Sequence, residues 1–151
     1  MILAAELTEN TRADAAVVPD LLAGFEGPIG RFTADGAYDS RAVHAQVHAL
    51  GGQTVIPPVR GATRSRGDPV LSCRDGHIEH IGRVGRRQWR LDVGQHQQAR
   101  AENTFFRYKG AFGGRLKGRT EATQRAEALT GCRILNRMAA LGMPVSVKVD
   151  A

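Results

Sequence analysis

Ile29-Gly30-Arg31-Phe32-Thr33-Ala34-Asp35-Gly36 leads, by way of Ala37-Tyr38-Asp39, into Ser40-Arg41-Ala42-Val43-His44-Ala45-Gln46-Val47-His48-Ala49-Leu50-Gly51-Gly52 and then Gln53-Thr54-Val55-Ile56-Pro57-Pro58. Ile29–Ala34 reads as a strand, closed by Asp35-Gly36, a common turn pair. Ser40 is a good helix-capping residue, and Val43, Val47 and Leu50 follow at helical spacing. Gly51-Gly52 ends that helix. Gln53–Ile56 reads as a second strand, stopped by two prolines. Strand, helix, strand is the pattern of an α/β sheet with at least some parallel pairing.

Working outward, Ile2–Thr8 is apolar and reads as a further strand. Thr11–Gly24 carries Ala15, Val18, Leu21 and Leu22 at helical spacing. Pro19 is disfavoured in a helix interior, so the helix is expected to start near Val18 with Pro19 in its first turn. Residues 59–76 are rich in Arg, Gly and Ser without periodicity, and read as a basic loop. A helix is expected from His77 to about Leu91, weakened by Gly82 and Gly85. After a break at Gly94, Gln95–Phe112 reads as a helix ended by Gly113-Gly114. Thr120 caps a long last helix to Leu141, stopped by Gly142 and Pro144. The length, 151 residues, makes a single domain the expectation for residues 1–151.

The chain is 42% hydrophobic and carries a net charge of +6. Between Arg60 and Arg119 there are fourteen Lys and Arg against five Asp and Glu; elsewhere there are seven against ten. A central segment this basic points to phosphate backbones bound in a salt-dependent way. No apolar run reaches the roughly 18 residues that would span a bilayer. Met1–Glu6 lacks the basic and apolar regions of a signal peptide. Two cysteines, Cys73 and Cys132, are too few for a disulfide framework. A cytoplasmic, DNA-associated protein is the expectation.

Two carboxylates carry the chemistry. Asp35 ends a strand, where ligands sit in α/β sheets. Glu102 lies on the Gln95–Phe112 helix. On a helical wheel Ala101, Phe105, Tyr108 and Phe112 form one stripe, read as the core face. Gln95, Gln98, Glu102 and Lys109 form a second stripe at its border. A strand-end Asp and a helical Glu can share divalent metal ions. Against this, Asp35 is also an ordinary turn residue, Asp39 a helix-capping one, and Glu102 and Lys109 ordinary surface charges. Cys73, His77 and His80 fit no four-ligand zinc pattern. His44 and His48, four residues apart, lack a metalloprotease's Glu and read as surface histidines. Trp89 and the phenylalanines read as core.

Taken together, these segments resemble bacterial insertion-sequence transposases with a DDE core, in the four/five group. The resemblance rests on Leu3-Ala4-Ala5-Glu6-Leu7-Thr8, Ala34-Asp35-Gly36-Ala37-Tyr38-Asp39, Val55-Ile56-Pro57-Pro58, Ala101-Glu102-Asn103-Thr104-Phe105-Phe106-Arg107-Tyr108-Lys109, Ile134-Leu135-Asn136-Arg137-Met138 and Leu141-Gly142-Met143-Pro144, in that order. It implies an incomplete ribonuclease-H-like fold: a mixed sheet flanked by helices, lacking its first strands. It implies two divalent ions, usually Mg2+, held by three acids. Asp35 corresponds to the second acid and Glu102 to the third. The first lies on a strand expected before Met1.

The family's Y-x2-R-x3-E-x6-K signature is matched at Glu102 and Lys109. Gln95 stands at the Tyr position and Gln98 at the Arg position, with Arg100 as the partial substitute. The resemblance implies DNA strand cleavage and strand transfer, with Asp35 and Glu102 as metal ligands and Lys109 on a phosphate. Arg100, Arg107, Arg60, Arg64 and Arg66, with Gln95 and Gln98, are the expected DNA contacts. The expected partners are transposon ends and target DNA, the product of an upstream reading frame as a fusion, and a second copy of the chain. Without the first acid the chain alone is expected to be inactive. The alternative is a non-catalytic DNA-binding relic of a transposon. An unrelated RNA-associated domain is the third reading.

Overall fold

The computed structural model describes residues 1–9 and 11–142. They are α/β: mostly helices, with a small parallel sheet of two strands. The chain divides into two compact units, one of Thr8–Glu102, the other of Met1–Leu7 with Asn103–Ala151. Pro144 lies outside the described residues.

In the first unit the strand-helix-strand segment forms as its sequence dictates. The strands are β1 (Arg31–Thr33) and β2 (Gln53–Val55), paired in parallel with Arg31 opposite Gln53. The first helix, α1 (Val18–Ala23), starts where Pro19 requires, after a 3-10 turn over Asp14–Val17, and ends at Gly24. Between the strands runs α2 (Arg41–Ala49), capped by the Ser40 hydroxyl, which accepts from the Val43 N–H. Its apolar stripe buries Val43 and Val47. Val43 joins Val18, Ala34 and Ile56 in the core, with Phe32 and Tyr38 packed against them. A β-carbon on Gly52 would come within 2.8 Å of the Ile29 carbonyl and the Val47 side chain. That glycine lets α2 turn tightly into β2.

The basic loop is shorter than its composition suggests. Helix α3 (Ser72–Asp92) begins at Ser72, not His77, after a 3-10 turn at Pro69–Leu71 capped by Asp68. The Asp75 carboxylate accepts from the Ser65 N–H and hydroxyl, and Arg74 donates to the Thr63 carbonyl. These bonds fix the loop onto the first turns of the helix, so 69–76 are helical rather than loop.

Gly85 does more than weaken α3. It takes φ 80, ψ 160, a backbone conformation open to glycine alone, and kinks the helix there. Twelve residues of straight helix span about 18 Å. Yet the His77 and Trp89 rings are 5.3 Å apart, and His80 Nε2 lies 2.8 Å from Asp92. The helix therefore folds back on itself at Gly85. Gly85→Ala is expected to cost about 1–3 kcal/mol, because alanine cannot hold that backbone without strain. A urea midpoint equal to that of the parent protein would contradict this.

In the second unit are most of α4 (Ala99–Phe112) and all of α5 (Glu121–Leu141). A 3-10 turn over Gln95–Gln98, entered from Gly94 in the left-handed conformation, precedes α4. As expected, Gly113 follows α4 with φ 89, and Thr120 caps α5 in a reciprocal capping box with Thr123. Tyr108 packs on Phe112 and against Gly131, where a β-carbon would fall 2.5 Å from its ring. The rest of the expected core face of α4 is not covered: Phe105 is 69% exposed and Ala101 is exposed as well, and Phe106, off that stripe but also read as core, is 79% exposed. The wheel identified an apolar stripe correctly but could not say what packs on it.

Ile2–Thr8 forms no strand, in contrast to the sequence expectation. Among the described residues it has no strand to pair with. Instead the Asn136 side-chain amide accepts from the Ile2 N–H at 2.6 Å and donates to the Ile2 carbonyl at 2.7 Å. One amide side chain thus satisfies both backbone groups, as a neighbouring strand would.

Candidate nucleic-acid and catalytic cleft

Both strands run in the same direction, so the segments leaving their C-terminal ends lie side by side. β1 ends into Asp35-Gly36 and β2 into Pro57-Pro58. Beside these ends is a cleft of about 690 Å3 within the Thr8–Glu102 unit. Asp35 and Glu102, remote in sequence, both line it, together with Gln95 and Gln98. The structure thus brings a strand-end Asp and a helical Glu to the lining of one cleft.

Asp35 also keeps its ordinary turn role. Its Oδ1 accepts from the Ala37 N–H at 2.8 Å and starts a short 3-10 turn over Gly36–Tyr38. One carboxylate oxygen is used locally and the other is not. Glu102, in the first turn of α4, is exposed rather than half-shielded. Gln95 is buried and donates its amide to Gln98, so the two glutamines are tied to each other.

The cations of this cleft differ from those the sequence singled out. Arg60 lines it as expected. Arg86, Arg90 and His96 line it too, and nothing in the sequence marked them. Arg86 and Arg90 are four residues apart after the Gly85 kink, so they share a helix face. Arg86 braces the cleft wall by donating to the Pro58 carbonyl at 2.6 Å. Arg60 and Arg90 are exposed and have no carboxylate partner among the described residues. The signal that could have found Arg90 was the fold-back at Gly85, which spacing alone does not reveal.

The other sequence candidates lie elsewhere. Arg64 pairs with Glu79 and lines a neighbouring cavity, while Arg66 is exposed and lines neither. Arg100, Arg107 and Lys109 are exposed on α4, the last two within the other compact unit.

Asp39 is not the capping residue its sequence position suggests, because Ser40 performs that task. The Asp39 side chain is 1% exposed and is the centre of a network. It accepts from Arg74 Nε at 2.8 Å, from His44 Nε2 at 3.1 Å and from the Val59 N–H at 3.1 Å. Burial raises its carboxyl pKa, but the bonds from Arg74, His44 and Val59 outweigh that and hold it below the ordinary value. His44, expected on the surface, is 1% exposed, with its other ring nitrogen 2.9 Å from the Thr54 hydroxyl. These bonds join α2, α3 and the segment after β2, and so set where Val59 and Arg60 stand beside Asp35.

The sequence model of the family described as "Transposase DDE domain" matches residues 1–137. The chain belongs to the transposase DDE domain family. Its function is therefore of the transposase type, and its macromolecular partner is DNA. No solved structure matches the chain. No helix among the described residues is long and apolar enough to cross a membrane.

Transposase DDE domains typically use divalent metal. The described residues do not fit a complete ion site: no group of three His, Cys, Asp or Glu is placed to hold a metal ion. Asp35 and Glu102 give two carboxylates in an open cleft, and one Asp35 oxygen is already bonded to backbone. A divalent ion held by these two alone would take its remaining oxygen ligands from water and substrate phosphate.

Proposed function

We propose that the cleft between the strand ends and α4 is the DNA-phosphate site of a DDE transposase of the insertion-sequence four/five group. Asp35 and Glu102 are two of its acidic residues. The observation that carries this reading is their convergence on one cleft with Arg60, Arg86 and Arg90. Two carboxylates beside a phosphate repel it, so such a pair belongs in a phosphate site only where a cation completes it. In the family that cation is a divalent ion, usually Mg2+.

In this reading the fold is a ribonuclease-H-like core in part, and the chain covers the later segments of the catalytic domain. Arg60 and Arg90 grip backbone phosphate oxygens by charge-assisted hydrogen bonds. Arg86 holds the Pro57-Pro58 wall in place. Lys109, Arg107 and Arg100 on α4 supply further phosphate contacts, and Gln95 and Gln98 shape the cleft edge. A third acid comes from outside the described residues, for which a fused upstream segment or a second copy of the chain is the natural source. The setting is the bacterial cytoplasm.

Because the acids are incomplete, the chain alone binds DNA but does not cut it. The test is a nicking assay on supercoiled DNA and on DNA bearing the element's ends, with Mg2+ or Mn2+. The expected result is no cleavage above a Glu102→Gln control. Cleavage by the chain that Glu102→Gln abolishes would show a complete site and reject the proposed inactivity. A relic that only binds DNA gives the same blank assay. The two separate when a segment carrying an acidic strand is fused ahead of Met1: cleavage then appears for the transposase and not for the relic.

A further inference from the structure

A second cavity, of about 530 Å3, shares Val59 and Arg60 with the cleft as lining residues. Arg41, Arg60, Arg64 and Arg74 line it, and Asp39 is the acidic residue among its lining. It is built entirely within the Thr8–Glu102 unit. We infer that this cavity is a second backbone-phosphate site, which holds a DNA phosphodiester beside the one in the carboxylate cleft.

The charge state of each group supports this. Asp39 is fully engaged with Arg74, His44 and Val59, so its negative charge is already neutralised at the cavity floor. Arg74, with 16% of its side chain exposed, uses Nε on Asp39 and Nη1 on the Thr63 carbonyl. Its Nη2 has no partner among the described residues. Arg41 reaches Asp68 through Nε alone, and both its terminal nitrogens remain. Arg64 pairs with Glu79, and Arg60 has no carboxylate partner among the described residues. The Arg64–Glu79 pair is exposed on both sides and therefore weak, so a phosphate can displace it; in the Arg41–Asp68 pair Asp68 is 26% exposed and keeps Arg41 Nε, and a phosphate shares Arg41 through its terminal nitrogens.

Planar guanidinium forks suit phosphate oxygens better than point charges do. Three features make the floor rigid: Arg74 is anchored twice, Ser65 is clamped by Asp75, and Gly61 holds the left-handed turn that lets Ala62 N–H bond the Val59 carbonyl. A rigid floor with exposed arginines at the rim fits a polymer backbone lying across it. The carboxylates of the cleft have no role here, since neither Asp35 nor Glu102 lines this cavity. The inference rests on the reading of the chain as DNA-binding, but not on its catalytic residues.

The experiment uses the full chain and a labelled duplex of arbitrary sequence, with affinity measured across a range of salt. The Arg41→Gln/Arg64→Gln double variant should lower the slope of log affinity against log salt by about 1, the effect of losing one neutralised phosphate. Arg90→Gln should lower it separately, and the triple variant by the sum. An unchanged slope in the double variant, with a reduced slope in Arg90→Gln, overturns the second site and leaves the cleft standing. A reduced slope in the double variant alone supports the second site and counts against the cleft. Binding of inorganic phosphate by the parent and not the double variant, with no duplex bound by either, makes the cavity a free-phosphate site and overturns the DNA assignment. Circular dichroism confirms that the variants fold, and Arg41→Lys/Arg64→Lys should restore the slope because charge is kept.

Discussion

Asp39→Ala is expected to destabilise the Thr8–Glu102 unit by about 3–5 kcal/mol, the usual cost of removing one partner from a buried charge pair. The neighbouring Asp35→Ala should cost far less, because Asp35 is exposed and caps only a short turn. The contrast follows from what each carboxylate holds. Without Asp39, the Arg74 guanidinium and the His44 ring lose an acceptor in a place water does not reach freely, and the more exposed Val59 N–H loses one too. Domains of this size are commonly stable by only about 5–15 kcal/mol, so such a loss brings the unit near its unfolding threshold. Asp39→Asn keeps the shape and one acceptor oxygen, and should fall between the two. Urea denaturation followed by circular dichroism reads all three. If Asp39→Ala and Asp35→Ala shift the midpoint equally, Asp39 is not the organising centre of this unit.

The pH dependence has a fixed sign. The Asp39 carboxyl lies below its ordinary value of 3.8 in the folded chain. Its contribution is therefore complete above about 3.8 and is lost as the pH falls through the lower folded value. Binding and catalysis near neutrality are not gated by it. Asp39 positions Val59 and Arg60, and through them the wall that both cavities share.

Much of this was readable in the sequence where a local signal fixed a local structure. Pro19 placed the start of α1, and Ser40 and Thr120 announced α2 and α5. The parallel pairing of β1 and β2 followed from two short apolar runs joined by a helix. The pairing also made the cleft readable in outline, because parallel strands bring Asp35 and the Pro57-Pro58 segment to one edge. What stayed hidden depended on contacts between distant residues. Nothing local distinguishes Gly85, which folds α3 back, from Gly82, which does not. Without that fold-back Arg90 reads as one surface arginine among many. Asp39 looked like a cap because its neighbours in sequence are turn residues, while its true partners come from α2, α3 and the end of β2. Phe105 looked like core because amphipathicity shows that a face is apolar and not that anything covers it. Ile2–Thr8 looked like a strand because its composition is right, yet a strand exists only when paired.

Trp89→Ala is expected to cost about 3–5 kcal/mol, as large-to-small changes in a core do. Trp89 is 0% exposed, and its indole N–H donates to His77 Nδ1 at 3.1 Å. That bond settles the His77 tautomer. Nδ1 accepts from Trp89, so Nε2 carries the proton and donates to the Thr54 carbonyl at 2.8 Å. The chain from Trp89 through His77 to Thr54 ties the folded-back end of α3 to β2, and so holds Arg86 and Arg90 over the cleft. Trp89→Phe keeps much of the volume but leaves Nδ1 without its donor, at a cost of about 1–3 kcal/mol. Acid should loosen the same contact. Burial lowers the His77 pKa below its ordinary 6.5, opposed by the Thr54 bond and aided by His44 and His80. The unfolded chain then binds the extra proton more readily, so stability falls as the pH drops below about 6.5 and levels off beneath the folded value. A protonated Nδ1 cannot accept from the indole, which couples the loss to Trp89 directly. Trp89 is the single tryptophan, so its emission reports this contact without labels. Denaturant midpoints taken from about pH 8 to about pH 5 should decline in the parent protein and decline less in His77→Gln, whose amide does not titrate in this range. Equal declines in the two proteins would remove His77 from the account and place the acid sensitivity elsewhere in the fold.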